Sequence, residues 1–232
     1  VDKAILEKLK ITTNNPKLND WKRVVKAKLL PEKVVNVAFV GKYTELKDSY
    51  KSINEALEHA GIKNKTKVNI NFVEAENLTT KNVNKTLKNT DAVLVPGGFG
   101  ERGIEGMILA CKFSRENNIP YLGICLGMQV AIIEYARNVL KLKGANSTEF
   151  NQDTKHPVIG LITEWSDISG KKETRSKDSD LGGTMRLGGQ LCMLKKRSNS
   201  YKMYKKQEII ERHRHRYEVN PKYKNEMIKK GL

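Results

Sequence analysis

Gly123-Ile124-Cys125-Leu126-Gly127 carries the strongest structural signal in the sequence. A short apolar run at 120–124 predicts a buried strand before it, and an apolar pattern at 126–139 predicts a helix after it. A nucleophile between two glycines at such a strand-to-helix turn is typical of a nucleophile elbow. The helix dipole and the unpaired amides there favour the thiolate of Cys125. The alternative is a buried cysteine in a tight turn without chemistry.

The elbow lies within a series of alternating strands and helices. Predicted strands lie at 34–40, 68–73, 91–95 and 120–124, and predicted helices at 50–60, 80–87, 104–117 and 126–139. Asp48 and Ser49 are expected to cap the first of these helices, and Gly61 is expected to end it. The alternation predicts an α/β fold with a doubly wound, mostly parallel, flavodoxin-like sheet. Ligands of such sheets bind at the carboxyl ends of the strands.

Pro96-Gly97-Gly98-Phe99-Gly100 follows the strand before the elbow strand and falls at the same edge of the sheet. Glycines let the backbone approach a ligand closely and turn an amide inward. An oxyanion hole needs such a donor beside the backbone amide of Leu126. A Gly-Gly turn alone is usually only a loop. Next to the elbow it indicates an active site at this edge of the sheet.

The two ends of the chain carry weaker patterns. Residues 1–33 are predicted to be a leader or interdomain linker, with one short helix that places Trp21, Val24 and Val25 on a packing face. Beyond Gly144 we predict a strand at 156–162, a polar loop at 166–183, short antiparallel strands at 184–194 and a helix starting at Asn220-Pro221 and ending near Gly231. The main domain is therefore expected at 34–232.

Composition limits the class of protein. The 232 residues have a formal net charge of +17, but the lysines are dispersed, so a specific nucleic-acid role is not expected. The three widely spaced cysteines argue against a disulfide framework and suit a reducing compartment. No apolar run is long enough for a bilayer and no signal-peptide pattern begins the chain, so a cytoplasmic protein is expected.

Arginines and histidines alternate from Arg212 to Arg216. In an extended chain all three arginines would share one face and both histidines the other. A basic nucleic-acid groove and a pair of metal-binding histidines are two possible interpretations, although no third metal ligand is near in sequence.

Several motifs together resemble a known family. Two stretches resemble the class I (triad) glutamine amidotransferases. They are Pro96-Gly97-Gly98-Phe99-Gly100, named the glycine loop from here on, and Gly123-Ile124-Cys125-Leu126-Gly127-Met128-Gln129. Further stretches resemble the glutaminase domain of the CTP synthase family in particular: Val40-Gly41-Lys42-Tyr43, Asp48-Ser49-Tyr50-Lys51-Ser52, Gly144-Ala145-Asn146-Ser147-Thr148-Glu149-Phe150, Gly182-Gly183-Thr184-Met185-Arg186-Leu187-Gly188 and Glu211-Arg212-His213-Arg214-His215-Arg216-Tyr217-Glu218-Val219-Asn220. The resemblance extends from about residue 20 to the end.

The resemblance implies a role for each site residue. Cys125 would attack the glutamine carboxamide and form a glutamyl thioester, with oxyanion donors from Gly98 and Leu126. Gln129 and Glu149 would hold the amino-acid end of the substrate. Arg216 would pair with its carboxylate, and the segment 212–216 would line the glutamine pocket. Gly127 and Met128, in the same motif, complete the predicted binding residues.

One departure from the family concerns the base. Family members activate the cysteine with a His-Pro-Glu motif, and this sequence contains none; His59, His156, His213 and His215 are its histidines. His156 precedes a proline but then Val158. We therefore expect the base and its carboxylate downstream of residue 232, and expect these residues alone to be nearly inactive as a glutaminase.

The resemblance also implies partners. The ammonia would serve a synthetase domain of the same polypeptide, which uses ATP and Mg²⁺ to aminate UTP to CTP, with GTP as activator and a homotetramer as the assembly. No cofactor is expected in the glutaminase domain itself. Two alternatives stay open: an amidotransferase for another acceptor or a γ-glutamyl hydrolase, and a non-enzymatic polyanion-binding module.

Overall fold

The computed structural model describes residues 2–14, 17–45, 47–161, 164–166, 172–174 and 186–232. The chain divides into two compact units, Val1–Asn36 with Leu46–Ile70 and Val37–Glu45 with Asn71–Leu232. The predicted boundary between residues 33 and 34 stays a prediction. Every predicted site residue belongs to the second unit.

The described residues of the first unit form three helices, so the part predicted as a linker is more regular than expected. The helices are α1 (Asp2–Leu9), α2 (Asn19–Leu29) and α3 (Lys51–Lys63), with a 3-10 turn at Lys47–Tyr50. The predicted short helix is confirmed as α2, but its packing face is wrong. No α2 residue is buried, and Trp21 is 67% exposed.

The ends of α3 differ from the prediction. Asp48 and Ser49 lie in the 3-10 turn, and the N-cap position is Tyr50, without a side-chain cap. Gly61 lies inside the helix instead of ending it. A methyl group on Gly61 would lie 2.5 Å from the carbonyl oxygen of Thr66, so glycine allows the close approach of the following strand.

The second unit is organised by a parallel sheet. Strands β1 (Lys33–Gly41) and β2 (Thr66–Glu74) end in this unit, and β3 (Ala92–Val95) and β4 (Tyr121–Gly123) complete it. The order is β2-β1-β3-β4, which matches the flavodoxin-like arrangement, and both the β1–β3 and β3–β4 pairs are parallel. The predicted α/β fold with a parallel central sheet is confirmed.

The burial of the strands follows their position in the sheet. Phe39, Val40 and Val95 are fully buried in the inner strands β1 and β3. The elbow strand β4 was predicted to be buried, and this is wrong for Leu122, which is 56% exposed. The reason is that β4 is the last strand in the order of the described sheet, so its outer side has no neighbouring strand.

Two long helices pack beside the sheet. Helix α5 (Ile104–Glu116) and helix α6 (Leu126–Asn138) confirm the predicted helices, whereas the predicted helix at 80–87 is only the short α4 (Val83–Thr86). Arg115 of α5 and Glu134 of α6 form a bidentate ion pair, with an Nη2–Oε1 distance of 2.8 Å. The Glu134 side chain is only 1% exposed, so this pair fixes α5 against α6.

The remaining strands form small sheets. Strands β5 (Asn146–Ser147), β6 (Pro157–Leu161) and β11 (Tyr217–Val219) form one in the order β11-β6-β5, which confirms the strand predicted at 156–162. Strands β9 (Arg186–Met193) and β10 (Glu208–His215) form an antiparallel ribbon, with α7 (Asn199–Tyr204) between them. The short strands predicted at 184–194 are thus one strand, and residues 184 and 185 lie outside the described residues.

The predicted polar loop at 166–183 lies largely outside the described residues. Within it, β8 (Lys172–Thr174) pairs antiparallel with β7 (Glu164–Ser166). Helix α8 (Pro221–Lys229) confirms the last predicted helix, with proline in its first turn and the Asn220 side chain accepting a hydrogen bond from the Lys222 amide at 3.1 Å. Among the described residues, no helix is long and apolar enough to span a membrane.

Candidate active site

The predicted nucleophile elbow is present between β4 and α6. Cys125 has φ 54° and ψ −106°, which is a strained conformation for any residue except glycine. A methyl group on Gly127 would lie 2.1 Å from the carbonyl oxygen of Val95, and one on Gly123 would lie 2.4 Å from the carbonyl carbon of Gly127. The two glycines therefore allow α6 to start directly against β3 and hold the thiol at the sheet edge.

The expected preference for the thiolate is wrong in its net direction. Cys125 is half-buried, and this burial raises the pKa of its thiol. The amide of Leu126 at the start of α6 acts to lower the pKa, and the carboxylate of Glu149 acts to raise it. Loss of water around the sulfur outweighs the helix terminus, so the thiol needs a proton acceptor to become nucleophilic at neutral pH.

The glycine loop after β3 lies against the elbow, as predicted from the strand order. Val95 and Gly123 are paired residues of β3 and β4, so the loops that follow them are neighbours. A methyl group on Gly97 would lie 3.4 Å from Cβ and 4.0 Å from Sγ of Cys125, and one on Gly98 would lie 3.2 Å from Leu126 Cδ2. This closeness is what two oxyanion donors require, although the donor roles of Gly98 and Leu126 stay a prediction.

A cavity of about 140 Å³ opens at this edge. Its volume is below the range typical of sites for drug-sized ligands, which suits a small substrate. The residues that line it are Gly98, Phe99, Cys125, Gln129, Glu149, His215, Arg216 and Tyr217. The cavity thus brings a nucleophile, a carboxylate and a guanidinium together.

Most, but not all, of the predicted binding residues line this cavity. Gln129 is 4% exposed and donates from Nε2 to the Tyr217 carbonyl oxygen at 3.2 Å. Glu149 accepts a hydrogen bond from the Gly100 amide at 3.2 Å. Leu126, Gly127 and Met128 are not among the lining residues, and Met128 is 40% exposed. The binding roles of these three residues stay predictions.

The prediction that all three arginines of 212–216 share one face is wrong for Arg216. Arg212 and Arg214 are exposed on β10, with His213 and His215 half-buried on its other face. The chain bends at Arg216, between β10 and β11, and the alternation stops there. Arg216 therefore lines the cavity beside His215, and its buried Nε has no hydrogen-bond partner among the described residues.

His215 is already fully hydrogen-bonded. Its Nδ1 lies 3.1 Å from the Tyr217 carbonyl oxygen, which can only accept, and its Nε2 lies 2.9 Å from Nδ1 of His213. Burial lowers the pKa of His215, so the neutral ring donates from Nδ1 and accepts at Nε2. No histidine in the described ranges is hydrogen-bonded to the Cys125 thiol.

The other histidine interpretations find no support. His59 is exposed on α3. His156 packs edge-on against the ring of Tyr223, with the two ring centroids 6.4 Å apart. Within the described part of the chain, no group of three or more histidine, cysteine or acidic residues is arranged to hold a metal ion.

Sequence reasoning missed three residues that build the site. Phe99 and Tyr217 line the cavity, and Lys42 is buried behind the glycine loop. His215 also lines the cavity and belongs to the segment 212–216 that the resemblance placed there. Phe99 and Tyr217 lie next to predicted site residues in sequence, so adjacency is a usable signal. Lys42 follows β1 and belongs to the stretch Val40-Gly41-Lys42-Tyr43, which carries part of the resemblance but implied no role for the lysine.

Comparison with known proteins agrees with this geometry. The family model for class I glutamine amidotransferases matches residues 45–232, which is more than half of the chain. The solved structure of the glutaminase domain of Trypanosoma brucei CTP synthase with bound acivicin is 38% identical, with a TM-score of 0.73. That match covers 85% of this chain and 72% of the other chain. The chain therefore belongs to the class I glutamine amidotransferase family.

Proposed function

We propose that this chain hydrolyses L-glutamine at Cys125 and supplies the ammonia for ATP-dependent amination of UTP to CTP. The observation that carries the proposal is the cavity that Cys125, Glu149 and Arg216 line together. A carboxylate and a guanidinium suit the ammonium and carboxylate of a free amino acid, and a thiol in the same cavity can attack its side chain. Similarity to a CTP synthase glutaminase domain supports the choice of acceptor.

The proposed chemistry proceeds in two steps. The Cys125 sulfur attacks the carboxamide carbon, and the backbone amides of Gly98 and Leu126 stabilise the resulting oxyanion. The C–N bond then breaks as a proton is delivered to the leaving nitrogen. The products of this step are free ammonia and a glutamyl thioester on Cys125. Water hydrolyses the thioester to glutamate and restores the thiol.

This path needs a base to accept the thiol proton and return it to the leaving nitrogen. Both nitrogens of His215 are engaged, which argues against it in that role. We propose that the base is a histidine–glutamate pair outside residues 1–232, as the family resemblance implies. Near-normal glutamine hydrolysis by these 232 residues alone would overturn this proposal and return His215 to consideration.

The acceptor half of the proposal concerns other parts of the protein. ATP, Mg²⁺ and UTP would bind a synthetase domain of the same polypeptide, GTP would activate glutamine hydrolysis, and the assembly would be a homotetramer. The glutaminase domain itself would use no cofactor.

The test is an assay of the intact protein in which this sequence occurs. Ammonia release from glutamine and conversion of UTP to CTP are measured together, with wild type and Cys125→Ala compared. We expect both activities in the wild type, whereas the variant should keep amination only when ammonia is supplied. Glutamine hydrolysis without UTP amination would favour another acceptor or a γ-glutamyl hydrolase. Neither activity, with salt-sensitive binding of polyanions, would favour the binding module.

A further inference from the structure

Lys42 is a buried cation beside the active site that the proposed chemistry does not use. It follows strand β1 directly, and it is only 4% exposed. Its Nζ donates to the carbonyl oxygens of Phe99 and Gly100, at 2.9 and 2.6 Å. A buried ammonium is tolerated only where acceptors replace its water, and two of these acceptors belong to the glycine loop.

The same loop is held from its other side by a carboxylate. The peptide unit between Phe99 and Gly100 offers its carbonyl oxygen to Lys42 and its N–H to Glu149 Oε1, at 3.2 Å. One peptide plane is thus fixed at both ends by groups of opposite charge. A rotation of this peptide would break both hydrogen bonds, and Gly100 with φ 74° allows the conformation that it requires.

The stem of Lys42 also contacts the residue predicted to donate to the oxyanion. A methyl group on Gly98 would lie 3.9 Å from Cδ and 4.0 Å from Cε of Lys42. The aliphatic stem therefore lies against one side of Gly98, and the ammonium holds the carbonyl oxygens of the Phe99–Gly100 and Gly100–Glu101 peptide units. Lys42 is not among the residues that line the cavity, and these two hydrogen bonds reach the site through this loop.

We propose that Lys42 is a positioning residue for the Gly98 amide. Lys42 and Glu149 together clamp the Phe99–Gly100 peptide and so fix the glycine loop against Cys125. Because Glu149 would also bind the ammonium of the substrate, the clamp links substrate binding to the orientation of the loop. This inference rests on the proposed function of the cavity.

The clamp predicts a specific kinetic signature. The oxyanion forms only during the reaction, so a misplaced donor lowers kcat and leaves substrate binding largely intact. Direct loss of one oxyanion donor typically costs 10²- to 10³-fold in rate. Loss of a residue that only positions the donor should cost less, about 10- to 100-fold in kcat, with KM within about twofold.

The experiment uses Lys42→Met in the intact protein, since methionine keeps the aliphatic stem and removes the ammonium. The matched control is Lys88→Met, which removes an exposed lysine that precedes β3, at the opposite end of that strand from the site. Glutamine hydrolysis gives kcat and KM. Alkylation of Cys125 by iodoacetamide, which forms no oxyanion, gives the reactivity of the thiol independently of the loop.

We expect Lys42→Met to lose kcat, keep KM and keep its alkylation rate, and Lys88→Met to match the wild type. An unchanged kcat, a rise in KM alone, or an alkylation rate that falls as much as kcat would overturn the proposal. If Lys42→Met does not fold, Lys42→Arg decides, because it keeps the charge but not the geometry of a compact ammonium and should lose kcat at constant KM. A wild type without glutamine hydrolysis would overturn the proposed function instead, which separates the two failures.

Discussion

Two turns bring side chains into the same cavity, the elbow at Cys125 and the bend at Arg216. The elbow requires glycine at positions 123 and 127, because a methyl group on Gly123 or Gly127 would overlap neighbouring backbone atoms. The strained backbone of Cys125 lies between these two closely packed positions. The bend depends on partners, because the carbonyl of Tyr217 accepts hydrogen bonds from both His215 and Gln129. One turn is therefore fixed by close backbone packing, and the other by hydrogen bonds, one of which comes from Gln129 on α6.

The largest expected effect is at the elbow. In Gly127→Ala the new methyl group would meet the Val95 carbonyl oxygen, so α6 must move away from β3. We expect a loss of about 3 kcal/mol in the free energy of unfolding, at the upper end for overpacked sites, and loss of glutamine hydrolysis. Urea unfolding gives the stability. Gly160→Ala is the control, because a methyl group there meets nothing within 4 Å; equal stabilities of the two variants would contradict the steric account.

The next effect is at the bend, where the side chain matters more than the backbone. Arg216→Lys removes the planar fork that a bidentate contact with a substrate carboxylate requires. We expect KM for glutamine to rise by about 10- to 100-fold, with a smaller change in kcat. Arg214→Lys, two residues earlier and exposed on the other face of β10, should leave KM unchanged. Equal effects at the two positions would show that the arginines act only through overall charge.

A smaller effect is expected from the hydrogen bonds behind the bend. His213→Phe keeps the ring but removes the Nδ1 that contacts Nε2 of His215 at 2.9 Å. Since one such hydrogen bond is worth about 1 kcal/mol, we expect KM for glutamine to rise by about fivefold while the fold is kept. His59→Phe on α3 serves as the control. An unchanged KM in His213→Phe would mean that this histidine pair does not support the cavity that His215 and Arg216 line.

The balance between burial and the helix terminus at the elbow is testable by pH. Since burial raises the pKa of Cys125, less thiolate is present at neutral pH in the folded chain than in the unfolded chain. The pH–rate profile for alkylation of Cys125 by iodoacetamide, followed by mass mapping, should therefore be displaced to higher pH in the native chain than in urea. A displacement to lower pH would show that the Leu126 amide outweighs burial.

The contrast between the two turns explains what the sequence could predict. The elbow and the glycine loop were recognisable because sterics restrict those positions to glycine and because strand order makes adjacent loops neighbours. The face of Arg216 was mispredicted because strand periodicity carries no information about a bend set by distant partners. The pKa of Cys125 was mispredicted for a similar reason, since burial depends on the whole cavity.

Lys42 and α2 show the same limit in other places. A lysine after a strand normally lies in water, and only the folded loop reveals the two carbonyl oxygens that hold Lys42. In α2 the apolar periodicity correctly predicted a helix, yet Trp21 is exposed. Periodicity predicts which residues share a face, but not what packs against that face.

The intact mass of the protein after exposure to a glutamine-mimicking electrophile, with and without excess glutamine, tests whether Cys125 is the nucleophile of a glutamine site. We predict a single adduct on Cys125, which glutamine prevents and which Cys125→Ala does not form. Adducts that glutamine does not block, or that persist in Cys125→Ala, would contradict the assignment of this cavity as a glutamine site with Cys125 as its nucleophile.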